Sequence, residues 1–209
     1  MDVYFQTDAA GCLHGIEHSG HIIIPDSVKS IGAWAFEDHK KITSIKIPDS
    51  VTSIGESAFS GCSSIGYITI PDSVTSIGEY AFFGCAALMH VNIPSSVTSI
   101  EQCVFSGCSS LKDITIPDSV RYIRNGAFYI CRSLEHVTIP DSVESIGICA
   151  FSECTSLTEV CIPDSVTSIG AHTFANCTSL KRIEIPNHFT NEDVKKWDIQ
   201  DTCEVVRRN

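Results

Sequence analysis

Apolar and polar residues alternate in a pattern that recurs along the chain, and a proline marks each recurrence. The eight prolines are spaced 23 residues apart: Pro25, Pro48, Pro71, Pro94, Pro117, Pro140, Pro163 and Pro186. The residue before each proline is isoleucine, and the third residue before it is isoleucine or valine. The chain from Pro25 to Pro186 is therefore a tandem array of 23-residue units without net insertion or deletion.

Each unit predicts one short strand, a turn and a helical return. In the run IKIP that ends at Pro48, apolar and polar residues alternate with the period of a half-buried strand. Proline has no N–H for a ladder and ends the strand. The Asp-Ser pair that follows most prolines supplies turn chemistry, and we expect its side chains to accept hydrogen bonds from nearby backbone N–H groups. Residues such as Ile77, Ala81 and Phe82 suit one face of a short helical segment.

A unit of this size cannot bury its own apolar side chains, so neighbouring units must share one core. Equivalent residues of successive units then form columns along the stack. One column is predicted to be a spine of stacked rings, at Phe36, Phe59, Phe82, Phe105, Phe128, Phe151 and Phe174. Another column is cysteine, at Cys62, Cys85, Cys108, Cys131, Cys154 and Cys177.

The unit LxxIxIPxxVxxIGxxAFxxCxxL resembles the BspA-type (Treponema-type) leucine-rich repeat. The run IPDSVTSIGEYAFFGCAAL, from Ile70 to Leu88, follows that pattern closely, and the resemblance covers roughly residues 21–186. It implies an α/β repeat fold: a right-handed leucine-rich-repeat solenoid with a curved parallel sheet on the concave face and short helical segments on the convex face. Family members are commonly large surface proteins of bacteria or protists, which implies adhesion or host-protein binding and a cell-surface or secreted location.

The ends of the array depart from the unit and are expected to cap its core. Residues 1–20 are predicted to form a hairpin-like N-terminal cap, residues 21–186 the repeats, and residues 187–209 a C-terminal cap with a short helix and an edge strand. Thr190 and Asp193 are spaced like a helix capping box, and Trp197 is expected to cover the last ring of the core. Arg207 and Arg208 discourage pairing at the final edge.

Composition and charge narrow the function classes. A net charge of -11 argues against a nucleic-acid footprint, which would be basic. No apolar run is long enough to span a bilayer, so membrane insertion is not expected. The chain start has no basic and apolar leader, which fits a cytoplasmic location as the alternative to the cell surface. A monomer is favoured, and no cofactor is expected.

The cysteine column is interpreted as free thiols, because free cysteine commonly acts as a small buried apolar residue. Side chains of one column point in parallel, and alternating disulfides would break the regularity of the repeat. Eleven cysteines is also an odd number. No Cys-x-x-Cys pair or zinc-module spacing occurs.

Function is expected from exposed positions that differ between units. On the predicted concave sheet these are two rows, and the predicted partner-binding residues are Tyr67, His90, Asn92, Asp113, His136, Glu159 and Arg182. A mixture of aromatic and polar side chains suits protein recognition. We therefore predict a non-enzymatic protein-binding module, with no catalytic residue. The alternative is a structural spacer or stalk segment of a larger surface protein.

A third hypothesis is a metal site at His90, Asp113 and His136, because imidazole and carboxylate groups alternate on adjacent strands there. The simpler interpretation is that these side chains are solvated neighbours that form cross-strand pairs. A catalytic Cys161 beside His136 and Glu159 is less favoured than the metal site, since an open sheet offers no evident oxyanion donors.

Overall fold

The computed structural model describes residues 6–7, 12–14 and 20–208, and these form a solenoid in which successive units add strands to two sets of parallel ladders. The strands that precede the prolines form the long-strand sheet: β3 (Gly20–Ile23), β5 (Ile42–Lys46), β7 (Tyr67–Thr69), β9 (His90–Val91), β11 (Asp113–Thr115), β13 (His136–Thr138), β15 (Glu159–Cys161) and β17 (Arg182–Pro186). Strands of two residues that follow the prolines form the short-strand sheet: β4 (Ser30–Ile31), β6 (Ser53–Ile54), β8 (Ser76–Ile77), β10 (Ser99–Ile100), β12 (Tyr122–Ile123), β14 (Ser145–Ile146) and β16 (Ser168–Ile169).

The strand register places equivalent residues of neighbouring units side by side. In the long-strand sheet Ile45 pairs with Ile68, and Tyr67 pairs with His90. At the N-terminal end, β1 (Gln6–Thr7) pairs antiparallel with β2 (Cys12–His14), which lies parallel to β4. The rest of the predicted hairpin-like cap falls outside the described residues.

The prediction of helical segments on the convex side is wrong. Between each short strand and the next long strand the described chain runs through consecutive turns. The reason is two residues per unit in the left-handed region, such as Tyr80 with φ 57° and Gly84 with φ 67°. An α-helix of L-residues cannot continue through such a conformation. The N–H groups of Tyr80 and Phe82 donate instead to the carbonyls of Gln102 and Val104 in the next unit.

The predicted ring spine is confirmed. The seven phenylalanines of the column are fully buried, with neighbouring ring centroids 5.2 to 5.9 Å apart and ring planes within 11° of parallel. This spacing follows the rise of the coil, because each unit contributes one ring. All six thiols of the cysteine column are buried and free, as the sequence predicts.

Most serines after the prolines do not accept N–H groups as expected; they donate to the preceding unit, whereas Ser165 Oγ is buried without a hydrogen-bond partner. Ser73 Oγ donates to the carbonyl oxygen of Val51 in the preceding unit at 2.7 Å, and Ser96 Oγ donates to that of Val74 at 2.6 Å. In the last unit His188 occupies the serine position, and its Nε2 lies 2.9 Å from the carbonyl oxygen of Val166. The column therefore stabilises the stack rather than a single turn.

The C-terminal end of the array is covered by helix α1 (Asn191–Lys196), the one helix among the described residues. Thr190 and Asp193 form the predicted capping box at its start. At its end, the carbonyls of Lys196 and Trp197 accept the N–H groups of His172 and Phe174 in the last coil. Those donors have no further coil to bond to, so the helix end satisfies them.

The chain then returns to the long-strand sheet. Trp197 is 1% exposed and packs edge-on against the ring of Phe189, with centroids 5.0 Å apart. The last strand, β18 (Glu204–Arg208), pairs in parallel with β17. Buried Cys203 precedes this strand.

Candidate partner-binding surface

The long-strand sheet presents an outward row of varying residues above a constant apolar core. In β7, β11, β13 and β15 the central residue is buried and the residues on either side are exposed, as alternation along a strand requires. We call the first exposed residue of each of these strands, with its equivalents in the other long strands, the recognition row. Its members from the third unit onwards are Tyr67, His90, Asp113, His136, Glu159 and Arg182.

Three members of the recognition row touch one another. The rings of Tyr67 and His90 are stacked, with centroids 6.0 Å apart, and Tyr67 is 59% exposed. His90 Nδ1 lies 3.4 Å from Asp113 Oδ2 on the next unit. An aromatic ring, an imidazole and a carboxylate therefore lie side by side in a fixed order, which offers both apolar area and hydrogen-bonding groups to a partner.

The side chain of Asn92, a predicted partner-binding residue, is exposed and also bonds to the backbone of a neighbouring strand. Its Oδ1 accepts the backbone N–H of Ile70 at 3.0 Å, and its Nδ2 donates to the carbonyl of Ile70 at 2.7 Å. The amide thus pairs with the backbone of the neighbouring strand. Its hydrogen-bonding groups join this unit to the preceding one; on the other side, β9 and β11 share only the isolated bridge between Asn92 and Thr115.

At the C-terminal end the recognition row becomes ionic. The register places Glu159 beside Arg182, and Arg182 beside Glu204. The Arg182 guanidinium forms ion pairs with Glu184 at 2.8 Å and with Glu204 at 3.4 Å. Arg182 is half-buried, and its charge is already paired within the chain.

A groove of about 470 Å³ lies over this end of the sheet. Its polar lining includes His136, Asp141, Glu159, Cys161, Arg182 and Arg208. It lies where strands β13 and β15 are not joined by a ladder, since β13 pairs only with β11, and β15 only with β17. The sheet therefore has a built concavity at this point, which the sequence pattern did not indicate.

The hypothesised metal cluster is not assembled. Within residues 20–208 no three histidine, cysteine, aspartate or glutamate side chains converge on a position that could hold a metal ion. His90 and Asp113 form a pair, and the neighbouring strand adds His136 without a contact to it. The exposed thiol of Cys161 has a raised pKa, mainly through desolvation. It is therefore protonated at neutral pH, and a protonated thiol is a poor nucleophile.

A second polar cluster lies on the short-strand sheet, and the sequence patterns described above do not predict it. The Arg121 side chain pairs with Glu144, whose carboxylate also lies 3.3 Å from the hydroxyl of Tyr122. The guanidinium of Arg124 lies over the Tyr122 ring, 4.5 Å from its centroid. The sequence signal of this cluster is a departure from the repeat: most other units carry Ser-Ile-Gly where this one reads Tyr-Ile-Arg, and arginine precedes that run.

Comparison with known proteins identifies the repeat. A family model for the BspA type leucine rich repeat region, six copies long, matches residues 12–135 and 77–196. No curated protein has a significantly similar sequence.

Solved structures of bacterial leucine-rich repeat proteins resemble the fold. The Treponema pallidum leucine rich repeat protein has a TM-score of 0.78 at 29% identity, over 92% of this chain and 90% of that one. A leucine rich cell surface protein of Faecalibacterium prausnitzii has a TM-score of 0.59 at 27% identity, over 91% and 60%. A leucine-rich repeat protein of Eubacterium ventriosum has a TM-score of 0.78 at 28% identity, over 88% and 50%. The chain thus spans half of the last of these proteins and 60% of the one before it.

The described part of the chain contains no helix of the length and apolarity that crossing a bilayer requires.

Proposed function

Because this chain belongs to the BspA type leucine rich repeat family, we propose that it is a non-enzymatic module whose long-strand sheet binds a protein. We take this face to be the concave surface that the sequence predicts. We propose adhesion or recognition of a surface protein as the biological role, with the chain acting outside the cell.

One observation carries the proposal: within the long strands, variation between units falls on the exposed positions. Along each long strand the buried residue is always isoleucine or valine, while the recognition row holds tyrosine, histidine, aspartate, glutamate and arginine. Folding requires only the constant column. Exposed Tyr67, stacked on His90, provides the kind of aromatic anchor that dominates binding energy in protein interfaces.

A structural spacer is the second candidate, and the uniformity of the units favours it. The phenylalanine, cysteine and serine columns are repeated with few exceptions, and the thiols and the phenylalanine rings make the same contacts at each step. An array of this kind is extended and needs no specialised face to act as a stalk.

A capture experiment separates the two candidates. The full chain is immobilised and exposed to a fraction of cell-surface and matrix proteins, and bound proteins are identified by mass spectrometry. The test variant is Tyr67→Ala/His90→Ala/His136→Ala. The matched control is Phe83→Ala/Ile148→Ala, which removes apolar side chains that are 43% and 49% exposed and lie outside the long strands.

Binding through the recognition row is expected to appear as a protein retained by the wild type and the control but lost from the triple variant. A protein captured equally by all three chains would contradict the proposed face. Capture of no protein above the level of empty beads would favour the spacer.

A further inference from the structure

The groove between β13 and β15 contains two guanidinium groups, and both are already bound within the chain. Arg182 pairs with Glu184 and Glu204. Arg208 donates to the carbonyl oxygen of Ile162 and forms an ion pair with Asp164 at 3.2 Å. Both cations are therefore held mainly by other carboxylates, although Arg182 also attracts Glu159 on the adjacent strand.

Two carboxylates of the same groove have no such partner. Among residues 20–208, the side chains of Asp141 and Glu159 form no ion pair and no hydrogen bond, and both are exposed. Together with Glu184, Glu204 and Asp164, they make five carboxylates around two guanidinium groups. Counting these five carboxylates against the two guanidinium groups, the groove and its rim carry an excess of three negative charges.

The apolar part of the lining matches the stem of a long cationic side chain. Val137, Val160, Ile139 and Pro163 line the same groove, whose volume of about 470 Å³ exceeds that of one lysine side chain. Lysine and arginine commonly lay their methylene stems on apolar surface while the charged end remains at a polar rim. The groove offers both an apolar surface for the methylene stem and a polar rim for the charged end.

We infer that the protein partner presents a basic segment to the recognition row and inserts a lysine or arginine side chain into this groove, between Asp141 and Glu159. This inference rests on the proposed function and specifies the chemistry of the partner. The net charge of -11 strengthens the attraction of a basic surface at long range.

The test uses two blocked pentapeptides as probes: Gly-Lys-Gly-Lys-Gly, and the same peptide with norleucine in place of lysine. Norleucine keeps the methylene stem and lacks the charge. Each peptide is titrated into the full chain, and backbone amide shifts are followed by NMR. The groove variant is Asp141→Asn/Glu159→Gln. The control variant is Asp49→Asn/Asp72→Asn, which removes the same charge from two exposed aspartates outside the groove.

The lysine peptide is expected to shift amides of residues 136–138 and 159–161, and the norleucine peptide to leave them unchanged. The groove variant is expected to weaken lysine-peptide binding by about tenfold, and the control variant by less than about twofold. Equal weakening in both variants, shifts spread over the whole surface, or absence of binding to the wild type would overturn the inference. The protein-capture result for the Tyr67, His90 and His136 variant does not depend on this outcome, so the two proposals fail separately.

Discussion

The thiol of Cys131 donates a hydrogen bond to the carbonyl oxygen of Phe105 in the preceding unit, with Sγ and O 3.2 Å apart. The other thiols of the column make the same bond to the preceding phenylalanine, at 2.9 to 3.3 Å. The cysteine column therefore connects units through single hydrogen bonds and fills the space beside the ring spine. This explains why so many cysteines occur in the chain without a disulfide framework.

Replacement of Cys131 by alanine should destabilise the fold. The variant loses the bond to Phe105 and leaves a small cavity, so the free energy of unfolding is expected to fall by about 1–2 kcal/mol in urea titration. Exposed Cys161 provides the matched control, and Cys161→Ala is expected to change stability by less than about 0.5 kcal/mol. Equal effects of the two substitutions would show that the buried thiol makes no specific contribution.

Stability should fall steeply in alkaline solution. Burial raises the pKa of Cys62, Cys108 and Cys177 from 9.0 to about 12. Above pH 9.0 the unfolded chain releases these thiol protons while the folded chain retains them, so the stability present below pH 9.0 is lost as the pH rises towards 12.

The unfolding free energy is expected to fall by about 1.4 kcal/mol per pH unit for each such thiol, as measured by urea unfolding at a series of pH values. Cys108→Ala should reduce the slope by one such contribution, which separates the thiols from tyrosine and lysine. A slope identical to that of the wild type would contradict the role of Cys108.

The short-strand sheet is interrupted between the third and fourth units, where Glu101 occupies a position that is usually glycine. Most units carry glycine at this position, because a Cβ at Gly55 or Gly78 would lie 2.5 Å from a backbone nitrogen of the preceding unit. The N–H of Gly78 donates to the preceding unit at 2.9 Å. Among the described residues the N–H of Glu101 has no equivalent bond, nor does that of Thr98, and β8 and β10 do not pair. Nearby Ser99 Oγ is buried without a hydrogen-bond partner.

Glu101→Gly should therefore close this ladder. Two restored backbone bonds, less the entropic cost of glycine, are expected to raise the unfolding free energy by about 1 kcal/mol. Hydrogen exchange should slow at Thr98 and at residue 101. Arg124→Gly is the control, because Arg124 already donates to the carbonyl of Ile100 at 2.8 Å. Unchanged exchange at Thr98 in the Glu101 variant would refute this account.

The C-terminal helix should depend on its capping box. Thr190→Ala removes the hydroxyl that accepts the N–H of Asp193, and it is expected to lower the unfolding free energy by about 1 kcal/mol. Backbone amide hydrogen exchange at His172 and Phe174 should become faster, since their N–H groups donate to carbonyls at the end of this helix. Thr202→Ala, at an exposed threonine outside the helix, should leave both measurements unchanged. A similar loss in both variants would show that the cap is not responsible.

Columns that recur at a fixed spacing predicted the solenoid, the ring spine, the buried thiols and the exposed recognition row. These predictions are correct because each unit packs against neighbours with the same residues, so the packing of one unit is repeated along the whole stack. The convex helices were wrongly predicted because apolar spacing alone cannot reveal left-handed residues such as Tyr80 and Ile130. Those conformations are imposed by hydrogen bonds to the next unit.

The residues that break the repeat were harder to interpret. Asn92 is exposed, as its position predicts, and its amide also pairs with the backbone of Ile70, which the repeat pattern does not indicate. The groove beside Glu159 lies over a junction where two strands do not pair, and the pattern of side chains carries no signal of it.

The sequence by itself determined the unit, its buried columns and its stacking, because hydrophobic burial repeated every 23 residues allows one arrangement of the core. The tertiary structure alone decided how the polar exceptions are satisfied: which arginine is paired, which carboxylate is left unpaired, and where a ladder opens. These outcomes depend on distances between side chains of different units. Such distances are set by the register and rise of the whole stack, and no single unit contains them.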